Sequence, residues 1–229
     1  MKKEVLVFGY NEYAKEIINN FIKDEFSVKV YVIDEQSFAN AKNDEINVEL
    51  VELDDDWLDI GRNFDVNELI CFCSLDDDAQ NVFLTISLRA EYEDVNIIAL
   101  ATSKESADKL KLAGANRAIA KLETTATVIV ESLEKPGIVR FMNDVLYSHK
   151  DLKLAEYVIS KDSLLEGSYL HEMQIHKRFN ILILAIADKE LEAEFTFVSQ
   201  GHNHRIDTGD ILVVMGREND LLEFEEMIK

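Results

Sequence analysis

The first 34 residues constrain this chain most. An apolar run from Val5 to Phe8 ends on Gly9, a helical pattern starts at Glu12, and a second apolar run from Val28 closes at Asp34. Strand, glycine turn, helix and parallel strand in that order form a βαβ unit, the opening of a dinucleotide-binding fold. The fingerprint for that use is G-x-G-x-x-G. Here the chain reads Gly9-Tyr10-Asn11-Glu12-Tyr13-Ala14, so only the first glycine is present. The first glycine of the fingerprint makes the tight turn, the second lets the backbone approach a pyrophosphate, and the third allows close helix–strand packing. Ala14 is a mild change at the third place. Asn11 restores a side chain at the second, and Glu12 puts a carboxylate where a helix N-terminus would receive phosphate, able to stand in for the missing anion. Asp34 lies near the place from which an acidic residue binds an adenosine ribose.

The same alternation continues. Apolar runs predict further strands over 48–53, 68–73, 96–100 and 117–120, with helical patterns over 12–23, 36–42, 79–92 and 104–113. Gly114 is a natural stop for the last of these helices. Near-continuous Val, Ile, Leu and Phe runs fit strands covered on both faces, hence a doubly wound parallel sheet. A long helical pattern over 125–147 contains the sole proline, Pro136, which predicts a helix, a bend and a second helix from Ile138. After about residue 150 strands dominate: LKLAEYVIS, FNILILAIA, LEAEFTFV and TGDILVVMG, with short helices over 168–176 and 220–228. The expected class is α/β: a Rossmann-like sheet domain over residues 1–135, a linker or crossover helix over 136–150, and a smaller α+β domain over 151–229.

Composition narrows the function. With 45 acidic against 24 basic residues the net charge is −21, which opposes binding of nucleic acid because no basic stripe offsets phosphate repulsion. No run of 18 apolar residues exists to span a bilayer. The N-terminus MKKEVLVFGY lacks a small-residue cleavage site and runs straight into the βαβ pattern, so it reads as strand and not as signal peptide, and the Met1 start suggests a complete soluble subunit. Cys71 and Cys73 share one strand face, too close along the chain for an ordinary disulfide and too few for a zinc site; they read as buried small hydrophobes in a reducing cytoplasm.

Ligands of open α/β sheets bind past the carboxyl ends of the strands. There the sequence places Glu12, Asp34, Glu35, Asp54, Asp55, Asp56, Asp76, Asp77 and Asp78, nine carboxylates with no Lys or Arg among them. Two readings follow: hard divalent cations take several carboxylate oxygens, and Asp at helix starts caps the helix. His202 and His204 form an H-x-H pair without a third ligand nearby, and no nucleophile–base motif stands out.

Several segments together resemble the cytosolic RCK (TrkA-N plus TrkA-C) domains that regulate potassium conductance in Trk/Ktr-type uptake systems and ligand-gated potassium channels. The resemblance rests on VLVFGYNEYAKEI, YVID, LDDDWLDI, FCSLDDDAQNVFLTISLRA (with Asn81 and Arg89 at the family's spacing) and LKLAGANRAIAKLETTA, then on LLEGSYLHEM, FNILILAIA and TGDILVVMGRENDLLEFEEMI. It implies a regulatory module and not an enzyme: a homodimer building a larger ring beneath a membrane potassium channel or transporter subunit, at the cytoplasmic face, as a separate subunit or the part of a channel below its spans. It also implies that a nucleotide (ATP/ADP or NAD/NADH) or a divalent cation biases the gate. Carried over, Gly9, Asn11, Asp34, Asp54 and Ser74 fall on the nucleotide site. Glu123 matches a Glu near a subunit interface where some members bind divalent cations, and Asp76 and Asp78 of the acidic edge are further cation candidates. The chain departs from the family's G-x-G-R-x-G at Asn11 and Glu12, and Leu53 stands where a Gly usually precedes the third-strand Asp. The competing readings are an NAD(P)-dependent oxidoreductase or redox sensor on the same fold, and an assembly-only domain that has lost its ligand.

Overall fold

The computed structural model describes residues 3–23, 26–147, 152–161, 163–169, 175–188, 195–197 and 204–228. The chain divides into two compact units, Met1–Val130 and Glu131–Lys229.

The first unit alternates β1 (Glu4–Phe8), α1 (Glu12–Lys23), β2 (Ser27–Val32), α2 (Glu35–Asn43), β3 (Val48–Leu50), α3 (Leu58–Asn63), β4 (Ile70–Cys73), α4 (Asp78–Glu91), β5 (Asn96–Ala101), α5 (Lys104–Leu112) and β6 (Arg117–Ala120). All strands pair in parallel, in the order β3-β2-β1-β4-β5-β6. This is the doubly wound order of the dinucleotide-binding fold, and its strand order reverses between β1 and β4. Burial on both faces explains the unbroken apolar strands. On one face Val5, Val7, Val30 and Val32 pack with Ala14 and Ile18 of α1 and Ala41 of α2. On the other, Leu6, Phe8, Tyr31, Cys71 and Cys73 pack with Ile60, Leu84, Leu88 and Leu110. Both cysteines are free and buried there, and desolvation pushes the Cys73 thiol up to about 12. At the end of α5, Gly114 takes φ +108, where Arg89 Nε donates to its carbonyl at 3.0 Å.

Two details depart from the sequence expectation. β3 stops at Leu50 instead of reaching Leu53, because a turn follows in which Asp55 accepts the Glu52 N–H at 3.1 Å. α3 carries no clear helical signal in the sequence; it is set by Trp57, whose backbone is left-handed (φ 53) and whose ring packs edge-on against Phe8 at 5.3 Å. A bulky residue at positive φ is strained, and the buried aromatic contact holds it there.

α6 (Lys121–Glu134) and α7 (Pro136–Tyr147) follow, with Pro136 opening the second helix as its first residue. The second unit contains an antiparallel sheet in the order β7-β10-β8-β9, formed by β7 (Leu152–Val158), β8 (Leu182–Ala187), β9 (Phe195–Phe197) and β10 (Ile211–Arg217). The closing helix α9 (Glu218–Ile228) buries Leu221, Phe224 and Ile228, the i, i+3, i+7 stripe of an amphipathic helix, with Phe224 edge-on to Tyr157 and Phe179. Of the short helix expected over 168–176, residues 170–174 lie outside the described residues; Tyr169 pairs with Arg205 in an isolated antiparallel bridge, and Ile175 opens α8 (Ile175–Phe179). Among the described residues no helix is long and apolar enough to cross a membrane.

Candidate functional site

The site lies over the β1/β4 switch point, where the fold places ligands. Gly9 ends β1 with φ +106, and its N–H donates to the Tyr31 carbonyl at 2.8 Å. A Cβ there would stand 2.7 Å from the Ser74 carbonyl oxygen. Gly9 is therefore demanded by the close approach of two strand ends, with or without a ligand. Ser74 is fully buried and donates through its hydroxyl to the Phe8 carbonyl at 3.0 Å, while its N–H reaches the same oxygen at 2.8 Å.

Asn11 is the N-cap of α1, its Oδ1 accepting the Ala14 N–H at 3.0 Å. Its Nδ2 donates to the Ser74 carbonyl and to Asp76 Oδ1, both at 2.8 Å. One side chain thus ties the β1–α1 turn to the β4–α4 turn across the cleft. Beside it, the Tyr10 hydroxyl donates to Asp44 at 2.8 Å and Lys15 pairs with the same carboxylate at 3.1 Å, which holds Asp44 below its ordinary range. The remaining cleft measures about 70 Å³, lined by Gly9, Tyr10, Asn11, Asp34, Ser74, Asp76 and their neighbours, with no Lys or Arg.

Most of the acidic edge serves the backbone. Asp34 caps α2 by accepting the Ser37 N–H at 2.9 Å, and Asp77 caps α4 through the Ala79 and Gln80 N–H groups. Asp78 accepts from the Thr102 N–H at 3.0 Å and from its hydroxyl. Asp54 is exposed and lies outside the cleft lining, and Glu123 is exposed on α6. Asp76 and Asp78 turn to different partners, and no group of three His, Cys, Asp or Glu side chains forms a metal site among the described residues. His202 lies outside the described residues; His204 Nε2 stands 2.9 Å from the buried Asp210 carboxylate. A larger recess of about 250 Å³ beside Tyr31 and Trp57 has an acidic rim. Its carboxylates are engaged: Glu49 with Lys29, Asp59 with Arg62, and Asp55 and Asp56 with backbone N–H groups.

The cap sets a small pH dependence. The Ser37 N–H donating to Asp34 holds that carboxyl below its ordinary 3.8, so the bond favours the folded chain above that value and its contribution is lost as pH falls through the folded one. Asp34→Asn keeps a capping side chain without the charge. Urea midpoints measured against pH are expected to fall less steeply below about pH 4 in this variant.

One functional residue was legible but is easily passed over. Asn81 lies on the buried stripe of α4 with Leu84, Thr85 and Leu88. A polar residue on a buried stripe signals a backbone partner, and Asn81 has three bonds: it accepts the Leu75 N–H at 2.9 Å and donates to the carbonyls of Leu75 at 2.9 Å and Leu100 at 3.3 Å. It fixes the turn that carries Ser74 and Asp76.

A doubly wound nucleotide-type domain is followed by a small antiparallel domain. The chain belongs to the TrkA-N domain family, whose model matches residues 5–121, and the TrkA-C domain model matches residues 154–229. A protein of Methanocaldococcus jannaschii named as a probable potassium channel protein 2 is 27% identical over 244 aligned positions, covering all of this chain and 68% of that protein. The human SLO3 gating ring shares the fold with a TM-score of 0.65 and 15% identity, over 96% of this chain and 46% of that one. The NAD(P)-binding domain of an exopolyphosphatase-related protein from Archaeoglobus fulgidus aligns with a TM-score of 0.51 and 16% identity, over 58% of this chain and 99% of that one. The chain thus spans about half the length of the gating-ring chain it matches.

The fold implies a dinucleotide, and the residues present do not fit one. The Asn11 amide, at the second place of the fingerprint, bonds across the cleft, the Ala14 N–H at the helix start already has an acceptor, and the cleft presents carboxylates where phosphate needs donors.

Proposed function

We propose that this chain is the gating module of a potassium channel or uptake system, acting at the cytoplasmic face of the membrane as a ring of dimers beneath the pore, and not as a catalyst. The observation that carries the reading is the match of both domains, in order, to the TrkA-N and TrkA-C families, together with alignment of the whole chain to 68% of a protein named as a probable potassium channel. A module of this kind works as a two-state element: whatever favours one arrangement of the ring shifts the pore by the difference in free energy between states.

The helices between the two matched segments support the pairing. α6 buries none of its side chains and leaves Leu122, Val128, Ile129, Val130 and Leu133 exposed; α7 leaves Ile138, Phe141, Met142 and Leu146 exposed. Apolar exposure on this scale marks an interaction surface, and a second copy of the chain is its occupant in this reading, since closed two-fold dimers are the commonest assembly. Ile129→Glu with Leu133→Glu, at side chains 56% and 79% exposed, leaves the fold intact and is expected to halve the mass seen by light scattering. An unchanged mass rejects this dimer face. For the function itself, rubidium uptake is compared between cells of the source organism with and without the gene. Uptake independent of this chain rejects the channel role.

A further inference from the structure

We infer that the cleft over the switch point is closed to nucleoside diphosphates and dinucleotides by the chain's own Asn11, whose bridge from α1 to Ser74 and Asp76 performs internally the strutting that a bound diphosphate supplies. The inference concerns the input of the module proposed above and leaves its output untouched, so binding and uptake experiments can fail separately.

The pattern of glycines kept and lost carries the argument. Gly9 is present because a Cβ would collide with the Ser74 carbonyl at 2.7 Å, a constraint internal to the protein. Ala14 is fully buried where α1 packs on the sheet, so the third place still has a small side chain. The second place answers only to the ligand: its glycine exists to let the backbone approach a pyrophosphate. That is the place where this chain has Asn11, and its amide is engaged by protein groups at both ends. The strut is also charge-matched. The amide donates to the Asp76 carboxylate, so an arriving phosphate would have to displace a charge-assisted bond and then face Asp76. No Lys or Arg lines the cleft to offset that repulsion. Asp34, the residue that would hold a ribose, is meanwhile engaged in capping α2.

Hydrogen exchange of peptides covering residues 8–16 and 73–81, with and without millimolar ADP, ATP or NAD, tests the inference. The wild-type chain is expected to show no change in these peptides, whatever binds elsewhere; protection there overturns it. Asn11→Gly with Glu12→Arg opens the position and supplies a cation. Exchange in the same peptides is then expected to slow about tenfold once ADP reaches roughly ten times its dissociation constant. Asn11→Ser with Glu12→Arg is the second variant: serine still caps the helix but is too short to bridge the cleft. If both variants keep the wild-type far-ultraviolet circular dichroism and neither gains protection, Asn11 is not what closes the cleft and the inference is wrong.

Discussion

Asn81→Ala is expected to destabilise the first domain by about 3 kcal/mol, since each buried backbone group stripped of its partner costs roughly 1–3 kcal/mol. The substitution removes the acceptor of the Leu75 N–H and the donor to the Leu75 and Leu100 carbonyls, at a position only 1% exposed. Loss of that size is a large share of a typical domain's 5–15 kcal/mol. Asn81→Asp separates the hydrogen-bond argument from simple packing. It keeps an oxygen for the Leu75 N–H but sets a carboxylate against two carbonyls, an environment that favours the protonated acid. The folded-state value is then raised above the unfolded one, so the variant is most stable below about pH 4 and loses stability as pH rises through the unfolded value. Urea unfolding at several pH values reads both effects. If Asn81→Asp were no more sensitive to pH above 4 than the wild type, the buried-bond account would fail.

The scaffold was legible because its cause is local and repeated. Val5–Phe8, the run ending at Asp34 and the apolar runs after it mark strands by composition alone, and the structure puts them in the doubly wound order. Gly114 and Pro136 punctuate helices by backbone geometry that any sequence displays. α3 was not legible, since Trp57 is held in a left-handed conformation by rings from β1 and β2, and no window of sequence contains that packing. The site divides in the same way. That Asn11 breaks the fingerprint is visible in six residues; that its amide reaches Asp76, 65 positions away, is a fact of topology. The acidic edge left two readings open, cation ligands and helix caps, because in the sequence carboxylates are counted only by position. In the folded chain most accept backbone N–H groups at strand and helix ends, a use that competes directly with metal binding.

Gly9→Ala distinguishes the two kinds of glycine and is expected to be the most damaging single change at the site. The backbone there sits at φ +106, and an L side chain in such a conformation costs about 1–2 kcal/mol. The added Cβ also meets the Ser74 carbonyl oxygen at 2.7 Å, its carbon at 2.9 Å and the Leu75 nitrogen at 3.1 Å. These are backbone atoms of the turn after β4, held by the Ser74 bonds to Phe8 and by Asn81, so they cannot swing aside as a flexible side chain would. Overpacking against a fixed wall adds about 1–3 kcal/mol, for a total near 3–4 kcal/mol. The loss appears without any ligand, as a lower urea midpoint and faster hydrogen exchange in the peptides of β1 and β4. Asn11→Gly, by contrast, forfeits only the cap and the strut; glycine is a tolerable N-cap, and the expected loss is about 1 kcal/mol. Were Asn11→Gly to prove as damaging as Gly9→Ala, the second place of the fingerprint would be a folding requirement in this chain. The division between a glycine kept for the sheet and one relinquished with the diphosphate would then not hold.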